Sequence, residues 1–289
     1  MLILGLFQNG NKTDFAIVAY GCNLVSSGSI VSISETEIVE FVEQESGLKL
    51  TDLDRVVTSG LHPILIDKVE AEKVDERMAL NHSIWVNYKS DKIATESPEY
   101  PYILCNDIHG TITFHLVESL DKANSFESST NGSLSNLEKA FQDKYQQEFL
   151  SSAILGNQDY TPIQTANYDL SAESLLTEIQ LKEDKVIDGA SEEVKAELMN
   201  FAVFDLAANV LDSYCQAIVG KLLSFAQEFA VKSIGYDGKL IYNERFREII
   251  SNTSESMNMQ LRLPPVASSD NMAFALAAYA NFLFESKKL

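Results

Sequence analysis

Residues 2–21, LILGLFQNGNKTDFAIVAYG, and residues 101–119, PYILCNDIHGTITFHLVES, follow one plan. In each, an apolar run rich in β-formers meets a polar turn containing glycine and is answered by a second apolar run. That pattern reads as two strands joined antiparallel by a tight turn. In the first copy a further strand-like run, LVSSGSIVSI, follows at 24–33. Each opening leads into helix-like and then strand-like sequence, so the expected architecture is a duplicated α/β fold. The two openings should lie in different sheets, in lobes covering 1–98 and 99–289 that meet near 96–100 around a cleft.

Outward from the openings, residues 35–44 place Ile38, Phe41 and Val42 at helical spacing, and LTDLDRVVTSG at 50–60 reads as a passage from helix to strand. Residues 124–134, rich in Ser, Thr, Asn and Gly, read as a loop. Ser191, followed by Glu192 and Glu193, is a helix start, with acids suited to the positive end of the dipole. From 194 to 229 the chain is apolar on most faces, which implies one or two buried helices. VKSIGYDGKLIYN at 231–243 reads as strand, glycine turn and helix start. An Ala-rich helix over 271–286, capped by Asp270, closes the sequence and should pack on the first lobe.

Composition bounds the function. With 289 residues, 45% of them hydrophobic, the chain can build two lobes with real cores. Its 42 acidic against 22 basic residues give a net charge of −20, which opposes binding to phosphate backbones. A basic patch around Lys89 and Lys92 is the local exception. Cys22, Cys105 and Cys215 are too few and too scattered for a disulfide framework or a zinc site. MLILGLF has no basic stretch before it, and the apolar run 272–284 is broken by Asn281 and falls short of a span of ~20 residues, so a cytoplasmic protein is expected.

Several segments together resemble the tRNA threonylcarbamoyladenosine transferase, or glycoprotease, family. VKSIGYDGKLIYNERFREII matches that family's strand, glycine turn and N-x-x-L-R helix start, with Asn243, Arg245 and Arg247 in place. Pro264 and Pro265 then precede SSDNMAFALAAYA, similar to its closing T/S-D-N-x-A element. GLKLTDLDRVVTSG, ALNHSIWVNY, EYPYILCNDIHGTITFHLVE and YDLSAESLLTE resemble the intervening segments, so the likeness runs over nearly the whole chain and is weakest before Ser34. It implies an actin-like ATPase fold of two duplicated α/β lobes.

The family's chemistry transfers poorly. Its metal is held by two histidines four apart and a late aspartate; here His82 and Asp270 stand, but Val86 occupies the second histidine position. Its S-G-G-H-T phosphate turn becomes Asp107, Ile108, His109, Gly110 and Thr111, with a carboxylate where phosphate would approach. Its second glycine pair keeps only Gly238, between Asp237 and Lys239, and a turn with positive φ explains that glycine without a ligand. The D-x-x-G-E element is represented by Thr130–Ser133, the later glycine pair by Ser151 and Ser152, and an acidic pair in the first turn by Asn11 and Lys12.

The cofactor-binding candidates are therefore Asp107, His109, Gly110, Gly238 and Asn243, the metal candidates His82 and Asp270, and no catalytic residue stands out. Phosphate-binding loops, nucleophile elbows and zinc motifs from other folds are missing, and only His62, His82, His109 and His115 are histidines. The resemblance implies a non-catalytic paralogue of the transferase, a binding or scaffold partner in tRNA modification that needs no cofactor. The alternative is a divergent enzyme or nucleotide-binding module using Asp107, His109, Lys239 and Asp270 in the cleft, with ATP and a divalent metal. The implied partner is a family paralogue or a second copy, met through first-lobe helices at 35–44 and 64–74; nucleic acid and membrane are not expected.

Overall fold

A computed structural model describes residues 1–19, 23–32, 34–59, 71–85, 99–108, 110–156, 170–172, 174–176, 192–264 and 271–286. The readings that fall on Lys89, Lys92, Val86, His62, His109, Ser191, Asp270, Cys22 and residues 64–70 lie outside the described residues.

The first opening forms β1 (Leu2–Asn9) and β2 (Lys12–Ala19), paired antiparallel from Leu2↔Ala19 to Asn9↔Lys12 around Gly10. β3 (Asn23–Ile30) adds antiparallel to β2, while β4 (Arg55–Thr58) and β5 (Ala71–Lys73) add parallel on the other side, in the order β3-β2-β1-β4-β5. The second opening does the same. β6 (Tyr102–Ile108) and β7 (Thr111–Ser119) are antiparallel, β8 (Lys122–Ser129) extends them, and β9 (Ser233–Gly238) and β10 (Gln260–Arg262) join parallel to β6, in the order β8-β7-β6-β9-β10. The two openings lie in separate sheets of equivalent topology, the duplicated architecture expected from the sequence.

Period-two alternation sets which layer each sheet face receives. Leu4 and Leu6 of β1 face α1 (Glu35–Ser46), whose Ile38 and Val42 are buried against them. Ile3 and Phe7, on the other face, meet α7 (Met272–Ser286). Between them sits Gly5, where an added Cβ would come 2.0 Å from the Ala273 carbonyl oxygen. Only a residue without Cβ lets the alanine face of α7 approach the strand this closely. The cap of α7 is Asn271, whose side chain accepts from the Phe274 amide at 2.9 Å; the sequence reading had placed that role one residue earlier, on Asp270.

The second sheet carries α3 (Leu134–Tyr145), α4 (Phe149–Leu155), α5 (Glu192–Glu228) and α6 (Glu244–Ser256) in one cluster with Ile103, Cys105 and Phe114. α5 is one continuous helix of 37 residues. No helix among the described residues is long and apolar enough to cross a membrane. The opposite face, with Tyr102, Leu104 and Val117, packs on Ile84 and Trp85, which follow α2 (Glu76–His82). α2 also packs on α7, so it joins the layers that serve the two sheets.

One stretch read as loop is not. Residues 124–129 belong to β8, and only 130–133 form a turn before α3. β8 is an edge strand with most side chains exposed or half-buried, so its polar composition records solvent rather than irregular backbone.

Candidate functional site: the cleft between the lobes

β6 sorts its side chains by alternation into two environments. Cys105 and Asp107 face the helical layer, whereas Leu104 and Asn106 face α2 and the other lobe. The Asp107 carboxylate is buried, accepting from the Leu134 amide at 3.1 Å and from the Tyr214 hydroxyl at 2.8 Å. It thus anchors the start of α3 and ties it to α5. The sequence reading set this charge against an approaching phosphate, but it is turned to the opposite face.

The other expected residues have comparable internal partners. His82 places Nδ1 2.8 Å from the Met78 carbonyl oxygen and Nε2 2.7 Å from the Tyr100 hydroxyl, with its ring stacked on Tyr279 and Phe282. Burial lowers its pKa, so the imidazole is held neutral. Gly238 has φ 157° and ψ 179°, a region open essentially to glycine alone, and a Cβ there would lie 2.7 Å from the Asp107 carbonyl oxygen. Asn243 caps α6, accepting from the Phe246 amide at 2.9 Å. Gly110, with φ 75°, forms the β6–β7 turn. Lys239 pairs with Glu138 of α3 at 3.2 Å, and Arg245 with Asp212 of α5 at 3.3 Å. Asp107 and Gly238 are register neighbours across β6 and β9; His82 stands apart from them on α2.

A metal ion does not fit at His82, because both ring nitrogens are already engaged. Among the described residues no group of three or more His, Cys, Asp or Glu side chains could hold one.

The space between the lobes is bounded by other residues. A cavity of about 630 Å³ opens between Ser59, Lys73, Arg77 and Leu80 of the first lobe and Asn106, Thr111, Thr113, His115, Ser125 and Ser128 of the second. None of Asp107, Gly110, Gly238, Asn243 or His82 lines it. Behind its lining residue Asn106 lies a cluster of buried polar groups. The Asn106 amide donates to Asn81 Oδ1 at 3.4 Å, yet Asn106 Oδ1 and Asn81 Nδ2 are buried without a hydrogen-bond partner. Beside them Ser83 donates to the buried Asp237 carboxylate at 2.5 Å, and the Tyr102 hydroxyl donates to the Asn81 carbonyl at 2.6 Å. His115 is 4% exposed, and its Nδ1 lies 3.0 Å from the Ser125 hydroxyl. Burial, and secondarily the Arg77 charge, push its pKa down to about 4. The sequence analysis named His115 only as one of four histidines; strand alternation sends Phe114 to the helices and His115 to the cavity. Asn81, Asn106 and Arg77 were missed. The one available signal was a polar Asn on the same strand face as Tyr102 and Leu104.

Two like five-stranded sheets, their helical layers and a cleft between lobes define the actin-like ATPase fold, and this chain has it. No family model and no curated protein matches the sequence. Among solved structures the chain is similar to the activator of the 2-hydroxyisocaproyl-CoA dehydratase from Clostridium difficile with bound ADPNP. The TM-score is 0.59 at 12% identity, with 100% of this chain and 97% of that one covered. It is also similar to component A of the (R)-2-hydroxyglutaryl-CoA dehydratase of Acidaminococcus fermentans, at TM-score 0.61 and 12% identity with 98% of each chain covered. At that identity the likeness is one of fold.

Proposed function

We propose that the chain is a degenerate relative of the tRNA threonylcarbamoyladenosine transferases, a non-catalytic binding or scaffold partner built on their actin-like frame. The observation that carries this reading is the reassignment of the family's functional positions to internal structure. His82 spends both nitrogens on Met78 and Tyr100, Asp107 holds α3 and α5, and Asn243 caps α6. A histidine with both ring nitrogens engaged has none left for a metal, and a buried carboxylate such as Asp107 repels a phosphate.

The partner side of the reading is a family paralogue or a second copy, with no nucleic acid expected at a net charge of −20. The apolar residues of α1 offer little for such a contact: Ile38 and Val42 are buried under their own sheet, and Phe41 meets Phe15 edge-on at 5.8 Å. Sedimentation at tens of micromolar should therefore be read with a first-lobe substitution outside that cluster as well as with Phe41→Asp.

The second reading, a nucleotide-binding module, is favoured by the cavity between the lobes, which has Arg77, Asn106 and His115 in its lining. The C. difficile activator, named with bound ADPNP, supports it at the level of fold. Steady-state ATP hydrolysis tests the non-catalytic reading, and equilibrium binding of a non-hydrolysable ATP analogue tests the second. The proposal expects no turnover above a protein-free blank with magnesium present; hydrolysis that Arg77→Ala abolishes would sink it in favour of the second.

A further inference from the structure

We infer that the free edge of β3 is a docking site for a basic, extended segment of a partner protein, which adds to the first sheet as a further strand. Its cations face Glu37 and Glu40 of α1, and its apolar residues face Val31. That a partner exists is taken from the proposed function; catalytic silence is not needed for it.

The sheet edges among the described residues differ in how they are protected. An edge strand leaves every other amide and carbonyl without a ladder partner, and proteins blunt such edges with short strands, charges and bulges. β5 and β10 are three residues long. β8 carries Lys122 and Glu127, the latter paired with Lys221 of α5. β3 has eight residues and no charge. It lies within the longest stretch of the chain without Asp, Glu, Lys or Arg, from Phe15 to Ser34. Its one irregularity is Val25, which is left out of the ladder between Leu24↔Val18 and Ser26↔Ile17, so 26–30 is a regular run. Val25 is 46% and Val31 73% exposed. Among the described residues no further strand pairs with this edge.

The two faces of that edge are unlike. Ser26 and Gly28 pair with Ile17 and Phe15, on the side of α1, whereas Ser27 pairs with Ala16, on the side of α7. α1 turns one flank to the edge: Glu37 accepts from the Ser32 hydroxyl just past β3, and Phe41, one turn on, meets Phe15. Glu40 and Gln44 share that flank by helical spacing and are exposed. The opposite flank is engaged by the fold, with Glu43 accepting from the Leu50 amide at 3.0 Å. On the side away from α1, alternation places Val31 beyond Ser27 and Ser29. There the Ser29 hydroxyl donates to Asp14, whose charge is matched by Lys12 at 2.9 Å.

These faces choose the partner. A strand laid along β3 meets acids on one side and valine on the other, which suits alternating basic and apolar residues. Main-chain hydrogen bonds then supply affinity, and the alternating side chains supply specificity. A second copy fits poorly. Antiparallel pairing of β3 with itself across a two-fold axis sets both α1 flanks on one face of the joined sheet, acid against acid, in chains of net charge −20.

Calorimetric titration of the full chain with a capped peptide of alternating lysine and valine, eight residues long like β3, tests this. The same peptide with methylated backbone amides, equal in charge but unable to pair, is titrated beside it. Saturable one-to-one binding of the first is expected, and the methylated peptide should bind about tenfold more weakly or worse. Ser27→Lys, which puts a cation on the edge strand itself, should weaken binding by a similar factor. Glu37→Gln with Glu40→Gln should weaken it and flatten its salt dependence. No saturable binding would overturn the inference, as would equal binding of the two peptides, which is charge attraction alone. So would a dimer of the free chain that Ser27→Lys dissolves, since the edge then belongs to a second copy. The two peptides are compared on unaltered protein, so the folding of a variant does not enter that result. Neither outcome bears on ATP hydrolysis or metal content.

Discussion

His82 and His115 are both buried, neutral imidazoles, and they differ in what their nitrogens still have to offer. His82 is saturated, so its environment is sensitive to the loss of either partner. Tyr100→Phe removes the hydroxyl 2.7 Å from Nε2 and leaves that nitrogen buried and unpaired. A destabilisation of about 1–3 kcal/mol is expected in urea denaturation. His115 makes a pH signature. Its folded pKa of about 4 lies below the ordinary imidazole value of 6.5, so as pH falls through that window the unfolded chain takes up a proton that the native one refuses. Stability from this group is therefore present above pH 6.5 and lost towards pH 4, on the order of 3 kcal/mol. The difference in unfolding free energy between wild type and His115→Gln should shrink correspondingly over that range; a difference independent of pH would place the imidazole in solvent. At Gly5 the sign is steric. A Cβ placed 2.0 Å from the Ala273 carbonyl oxygen forces α7 off β1, and Gly5→Ala should lower stability by at least ~1–3 kcal/mol, read from the midpoint of thermal unfolding.

Among the elements, α6 gives the cleanest test of a residue that resembles a ligand but behaves as a cap. Asn243→Ala removes the acceptor for the Phe246 amide and should cost about 1 kcal/mol, whereas Asn243→Asp or Asn243→Ser should recover most of it. A role confined to a bound ligand would leave the free protein's stability unchanged in all three. Sequence legibility also varied by element. The β1–β2 and β6–β7 hairpins were plain, because buried strands need long apolar runs and their turns need glycine. β8 was not legible: an edge strand pairs through its backbone, and KANSFESS carries the composition of a loop because most of its side chains meet water. The cap of α7 was misplaced by one residue because Asp270 and Asn271 are both good caps, and only the amide geometry at Phe274 selects Asn271.

On the scale of the whole molecule, duplication was readable and the site was not. Topology follows from local patterns repeated along the chain. The cavity gathers Arg77, Asn106, His115 and Ser125 from both lobes, and no local pattern marks residues that meet only through tertiary structure. The same limit explains Asp107. Its place beside a glycine turn was clear, but strand alternation sends its carboxylate to α3 and α5. The central claim of the proposal is that residues aligned with the transferase family's chemical positions serve the frame instead. Elemental analysis of the purified full chain, after incubation with iron or zinc and removal of the excess, tests it most directly. The account predicts far less than one ion per chain, unchanged by His82→Gln. About one tightly held ion per chain, lost in His82→Gln or Asp270→Ala, would contradict it.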